Sequence, residues 1–331
     1  MNETLFRALV VEEAEPKRFV SSIKNRSLDE LPAGEVLVRV HYSALNYKDA
    51  LSSVGNRGVT RSYPHTPGVD ASGVVAASDD PRFAAGDKVL VTSYDLGMNT
   101  DGGLGEYIRV PAGWVVQLPP GLSLKEAMMF GTAGLTAGLM IAVLVRNGVK
   151  PERGPVLVTG ATGGVGSLAV AILAKLGYEV AAVTGKADAA DFLKSLGAAQ
   201  VVSRESVIET KRPLLKEQWA GVVDVVGGDM LASALKATRY GATVTCAGLV
   251  GSPELNTSVF PFILRGISLV GIDSAECPMA PRVEVWNKLA SEWKPDCLET
   301  LTTEITLDEV EAHLRALLQG KAHGHYVVKM A

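Results

Sequence analysis

Short β-branched runs broken by Gly and Pro fill the first third of the chain, and a different texture follows. "RALVVEE", "EVLVRVHYSA", "GVVAAS" and "DKVLVTSY" each read as a strand, separated by Pro32-Ala33-Gly34, Pro67-Gly68 and Gly86-Asp87. This spacing predicts a compact, barrel-like β domain. From Ser123 the stretch "SLKEAMMFGTAGLTAGLMIAVL" is Ala/Leu-rich and predicts one long helix, with Ser123 as N-cap and Glu126 three residues on. After Pro151 continuous apolar runs ("VLVT", "EVAAV", "AAQVV", "AGVVDVV", "ATVTCAG", "ISLVGID") alternate with helical patterns such as "DAADFLKSLG" and "GDMLASALKATRY". Continuous apolar strands alternating with helices belong to a parallel sheet covered on both faces. Six of them fit a doubly wound dinucleotide-binding fold. The tail adds an amphipathic helix, "LDEVEAHLRALLQG", and a short strand, "HYVVKM", expected to return to the N-terminal domain. The fold class is therefore α/β. Residues 1–124 form a β-rich domain completed by 297–331, and 125–296 form the dinucleotide-binding domain.

Composition narrows the partners. The chain has 331 residues, 47% apolar and 21% charged, with a formal net charge of −4, which offers no electrostatic reason for nucleic acid or a membrane surface as partner. Three scattered cysteines, Cys246, Cys277 and Cys297, fit a reducing compartment better than a disulfide framework. The N-terminal residues lack the basic-then-apolar order of a signal peptide, and apolar stretches such as Leu135–Val145 are short and interrupted by Gly. A cytoplasmic protein is expected.

The segment "VTGATGGVGSLAV" (158–170) carries the first chemistry. At the three fingerprint positions of G-x-G-x-x-G it has Ala161, Gly163 and Gly166, so the pattern alone is incomplete. Its context is complete: strand 155–159, glycine turn, helix 164–176, second strand 179–183. In that context Gly163 lets the backbone approach a pyrophosphate and Gly166 lets helix and strand pack closely. The helix N-terminus offers free N–H groups to the phosphates. The second strand ends in Thr184-Gly185-Lys186, with no carboxylate before Asp188. An NAD site wants a carboxylate there for the ribose 2′-hydroxyl. A hydroxyl, a glycine and an ammonium suit a 2′-phosphate instead, and Arg204 after the third strand adds a second cation. The cofactor expected is NADPH.

These residues also carry a resemblance. "PGVDASGVV", "AGDKVLV", "GGLGEYIRVP", "GTAGLTA" and "TGATGGVGS" resemble the medium-chain dehydrogenase/reductase superfamily. "SALNYKDAL", "SLGAAQVVSRE" and "PFILRGISLVGIDS" narrow the likeness to the NADPH-dependent acrylyl-CoA reductase family, often called quinone oxidoreductases. The resemblance spans essentially the whole chain. It implies a GroES-like first domain, a Rossmann second domain, a homodimer, and reduction of an α,β-unsaturated CoA thioester. Zinc-dependent alcohol dehydrogenases of the superfamily place Cys where this chain has Asn46, and His-Glu where it has Val69-Asp70. No metal site is expected. By motif match "NYKD" lies beside the nicotinamide, which makes Asn46, Tyr47 and Asp49 catalytic candidates and Tyr47 also a cofactor contact. Asn46 can donate to an oxygen and Tyr47 can act as an acid, while Lys48 and Asp49 can equally pair and hold the turn. The family's cofactor pocket maps onto Thr162, Gly163, Gly164 and Val165, beside Gly166, and onto Thr184, Gly185, Lys186, Arg204, Leu249, Ile263 and Ser274. His325 stands where the family usually has Arg, and it is expected in an exposed loop as a weaker phosphate contact. Arg57, Arg61 and Lys48 are candidates for the CoA phosphates. A quinone acceptor, or cofactor binding without catalysis, is the alternative.

Overall fold

A computed structural model describes residues 4–330 and divides into two compact units. Unit one comprises 1–132, 275–283 and 302–331, and unit two comprises 133–274 and 284–301.

In unit one the strands Leu5–Glu15 and Arg18–Ser27 form an antiparallel hairpin with Leu5 opposite Ser27. A seven-stranded sheet runs in the order Thr302–Thr306, His325–Lys329, Val36–Leu45, Asp70–Ser78, Lys88–Thr92, Val116–Gln117, with Tyr107–Val110 also paired to Val36–Leu45. Val36, Val38 and Val40 alternate onto one buried face and meet Val89, Val91, Ile108 and Val328 in a single core. The tail strand His325–Lys329 lies between Thr302–Thr306 (parallel) and Val36–Leu45 (antiparallel). Tail residues thus supply the edge strand of this sheet and the interior strand beside it.

Unit two is built on six parallel strands in the order Gln200–Ser203, Val180–Thr184, Val156–Val158, Trp219–Asp224, Thr238–Cys246, Ser268–Gly271. Val156, Leu157 and Val158 are wholly buried, as a central strand covered on both faces must be. Strand order reverses beside Val156–Val158, and ligands of such sheets bind beyond the carboxyl ends at that point.

The long helix appears as Leu124–Arg146 with the expected capping box, Ser123 N–H to Glu126 Oε2 at 2.8 Å and Glu126 N–H to Ser123 Oγ at 3.1 Å. It is not one helix, however. Gly131 takes φ 52° and ψ −156° and breaks it, and the boundary between the two units falls one residue later. The helix is long and apolar enough to cross a membrane on length and composition alone, but most of it is buried inside the protein.

Candidate active site

The site residues fall into two groups, one in each unit. In unit two, Gly160 (φ 58°) turns the chain after Val156–Val158, and Gly163 immediately precedes the helix Gly164–Lys175. A Cβ on Gly166 would overlap the Gly160 carbonyl, whereas one on Gly163 would meet only that oxygen, at 3.5 Å. Helix and turn therefore pack backbone to backbone at Gly166, and open space borders Gly163. Thr162 is buried, and Gly164 and Val165 start the helix half-exposed. A cradle bare of side chains at a helix N-terminus suits a pyrophosphate.

The turn is tied to its neighbour by Asp224, a fully buried carboxylate absent from the sequence-based candidates. Thr159 Oγ1 donates to Asp224 Oδ1 at 2.7 Å, and Gly227 N–H donates to Oδ2 at 2.8 Å. Burial raises the Asp224 pKa, and these bonds oppose the rise. Gly227 in turn abuts the Gly248 carbonyl and the Leu249 backbone, which places Leu249, with its side chain 66% exposed, beside the same crevice. Ile263 sits on the exposed face of the helix Phe260–Arg265, and Ser274 Oγ accepts from Thr136 Oγ1 at 2.7 Å.

The carboxyl ends of Val180–Thr184 and Gln200–Ser203 bring the predicted 2′-phosphate residues together. Thr184 Oγ1 accepts from Lys186 N–H at 3.0 Å, and the Arg204 guanidinium lies over Gly185, where a Cβ would come within 2.8 Å of Nη2. Desolvation lowers the Lys186 pKa, with Asp188 opposing it. A partly buried ammonium so penalised gains from an anion beside it.

In unit one, Asn46 caps the helix Tyr47–Ser53. Tyr47 is 46% exposed. Asp49 is fully buried and accepts backbone N–H from Asn46 (2.7 Å), Gly68 (3.1 Å) and Val69 (3.0 Å). Burial, with a contribution from Asp70, pushes its pKa up to about 7 against those bonds. This corrects its place among the catalytic candidates: a sealed carboxylate occupied by three N–H groups holds the 67–69 turn against the helix. Asn46 Nδ2 donates to Asp70 Oδ2 at 2.7 Å, and Asp70, also wholly buried, accepts from Thr132 N–H at 2.9 Å to each oxygen and from Thr132 Oγ1 at 2.6 Å. Ser93 Oγ lies 2.8 Å from Thr132 Oγ1 and, like Tyr94, has a left-handed φ. Asp70, Thr132 and Ser93 escaped the sequence reading. The signals for Asp70 were an acid inside the β-run "PGVDASGVV" and its place where zinc-dependent enzymes of the superfamily carry His-Glu.

His325 is corrected outright. It begins an interior strand and is 3% exposed. Burial drives its pKa down to about 4, only partly opposed by a hydrogen bond with the Met128 backbone. It is neutral near pH 7 and is no phosphate cation. Arg57 is likewise engaged: it donates to Glu13 Oε2 at 2.5 Å and lies over the Phe19 and Tyr63 rings. Among the described residues no group of three or more His, Cys, Asp or Glu could hold a metal ion.

Residues 32–120 match the alcohol dehydrogenase GroES-like domain, and residues 164–291 match the zinc-binding dehydrogenase domain. The chain is 48% identical to the acrylyl-CoA reductase AcuI of Ruegeria pomeroyi over 98% of this chain and 99% of the relative. The chain belongs to the acrylyl-CoA reductase family of medium-chain dehydrogenases/reductases. Another relative at this distance is the putative quinone oxidoreductase YhfP of Bacillus subtilis, 50% identical over 99% of both chains. Its NAD-bound crystal structure superposes with a TM-score of 0.96, covering 98% of this chain and 99% of that one. The NADP complex of the yhdH oxidoreductase from Salmonella enterica does so at 45% identity, with a TM-score of 0.96 over 98% of this chain and 100% of that one. The family's fold, an α/β chain with a Rossmann sheet and a GroES-like domain, is the one expected from the sequence.

Proposed function

We propose that this chain is an NADPH-dependent oxidoreductase that reduces the conjugated double bond of acrylyl-CoA to give propionyl-CoA, without zinc. The observation that carries the reading is 48% identity, over 98% of the chain, to an acrylyl-CoA reductase, in a chain with Asn46 and Val69-Asp70 where zinc enzymes of the superfamily carry ligands. The chemistry the cofactor supplies when bound is hydride delivery to the β-carbon. Gly163 and the N–H groups of Gly164 and Val165 would hold its pyrophosphate. Thr184, Lys186 and Arg204 would hold its 2′-phosphate, with Tyr47, Thr162, Leu249, Ile263 and Ser274 as further contacts. An enolate formed on the thioester needs a hydrogen-bond donor at its oxygen. Asn46 has a carboxamide for that task, and the exposed Tyr47 phenol is a candidate acid.

A quinone acceptor is the second reading. The engagement of Arg57 by Glu13 favours it, because one expected CoA-phosphate cation is already paired while Arg61 stays exposed. We further propose a cytoplasmic homodimer acting on a small molecule, with no role for nucleic acid or membrane. The test follows NADPH absorbance with acrylyl-CoA beside a simple quinone, repeated with NADH. Turnover of acrylyl-CoA with NADPH supports the main reading. Quinone-only turnover replaces it with the second. Equal use of NADH overturns the 2′-phosphate assignment.

A further inference from the structure

We infer that Asp70 is a positioning residue of this reduction: it holds the Asn46 carboxamide so that one N–H of that amide is kept for the carbonyl oxygen of the acceptor. The inference rests on the reaction proposed above. A helix N-cap needs only a side-chain oxygen, which Asp, Ser or Thr supplies as well as Asn. What Asn alone adds is an NH2 group, and one of its hydrogens goes to Asp70 Oδ2 at 2.7 Å. A carboxylate only accepts, so this bond fixes which end of the amide faces inward and leaves the second N–H uncommitted by Asp70. The main-chain N–H of Asn46 is held separately by Asp49 Oδ2 at 2.7 Å. Asn46 is therefore clamped through backbone and side chain by two different buried carboxylates, yet is itself only half-buried and adjoins the exposed Tyr47.

Asp70 is itself immobilised from the far side. Thr132 gives it both its N–H and its hydroxyl, and Ser93 Oγ backs that hydroxyl at 2.8 Å. The arrangement exists only because the helix breaks at Gly131, where a Cβ would sit 2.5 Å from Asp70 Oδ2 and 3.3 Å from His325 Nε2. A donor held this rigidly does not have to reorganise when charge develops on an oxygen, which is the property that makes such donors effective.

The test is a double-mutant cycle on kcat and KM with NADPH and acrylyl-CoA, using wild type, Asn46→Ala, Asp70→Asn and the double variant. Each single variant is expected to lose about 100-fold in kcat, with KM for NADPH changed by about twofold at most. The double variant should be no slower than Asn46→Ala, because Asp70 acts through Asn46. Losses that multiply, or an Asp70→Asn defect confined to KM, would overturn the inference. If circular dichroism shows Asp70→Asn unfolded, Thr132→Val takes its place, since valine keeps the shape and removes the hydroxyl bond. Its several-fold loss is expected in wild type and absent in the Asn46→Ala background, and a loss in both backgrounds overturns the inference. Should wild type reduce only quinones, the functional reading falls on that result alone. The same cycle run on the quinone then judges Asp70, with coupling supporting it and multiplying losses overturning it.

Discussion

At the scale of single residues, two buried titratable groups give unit one a pH dependence of defined sign. His325 is held at about 4 in the folded chain, against an ordinary value near 6.5. Above pH 6.5 it is neutral folded or unfolded and contributes nothing to the balance. As pH falls from about 6.5 to 4 the unfolded chain takes up a proton that the folded chain refuses, and stability drops, by about 2 kcal/mol at pH 5. Asp49, raised to about 7, works oppositely: its ionisation on unfolding favours the unfolded chain as pH rises from about 4 to 7. Because the two windows overlap, the wild-type profile alone would hide both effects. His325→Gln isolates the first. Urea denaturation at pH 5 and pH 7.5 should show the variant gaining about 2 kcal/mol on wild type at the lower pH relative to the higher, and parallel profiles would show that His325 is not the source. Lys186 and Arg204 are expected to act on the cofactor alone. Lys186→Ala should raise KM for NADPH about tenfold, the loss of one charge-assisted phosphate contact, and leave KM for NADH unchanged. Equal losses with both cofactors would place Lys186 away from the 2′-phosphate.

At the scale of elements, the break in Leu124–Arg146 separates what local sequence carries from what it does not. The central strands Val156–Val158, Val180–Thr184 and Trp219–Asp224 were legible because a strand buried on both faces has its cause in its own composition, and the Ser123–Glu126 cap because its two partners are three residues apart. Gly131 was not, since a glycine in an Ala-rich helix reads as tolerated. Its reason is Asp70, which lies 62 residues from its Thr132 partner and takes the first N–H after the break. His325 was misplaced for a related cause: "KAHGH" looks like a polar loop, and its burial comes from the pairing of His325 with Thr302 in a sheet no local pattern reveals. The glycine turn and the Thr184–Lys186 segment were legible because their chemistry is contiguous, whereas the Asn46–Asp70–Thr132–Ser93 chain is assembled from four distant segments. Gly131→Ala tests the break. A side chain at φ 52° would clash with Asp70, and a loss of about 2 kcal/mol or more in urea denaturation is expected. A loss of a few tenths would mean that the helix can close through this position.

At the scale of the whole molecule, the open question is what covers the last strand of the six-stranded sheet. Ser268–Gly271 has Thr238–Cys246 on one side only, and an unpaired strand edge is a template for another chain. Nearby in sequence, Val259, Phe260, Ile263 and Leu264 expose large apolar side chains. A second copy meeting this edge across a two-fold axis satisfies both features with one contact, because each copy offers the other the same surface. The free donors of the edge can be located. Ile272 N–H points inward to the Cys246 carbonyl at 2.9 Å, and alternation along the strand turns the N–H groups of Leu269 and Gly271 outward. Leu269→Pro therefore removes an outward donor and leaves the internal ladder its own bonds, as proline is tolerated on an edge. Sedimentation velocity should give a dimer for wild type and a shift toward monomer for the variant, with unchanged circular dichroism. A wild-type monomer at micromolar concentration would rule out the dimer, and a dimer untouched by Leu269→Pro would place its interface elsewhere.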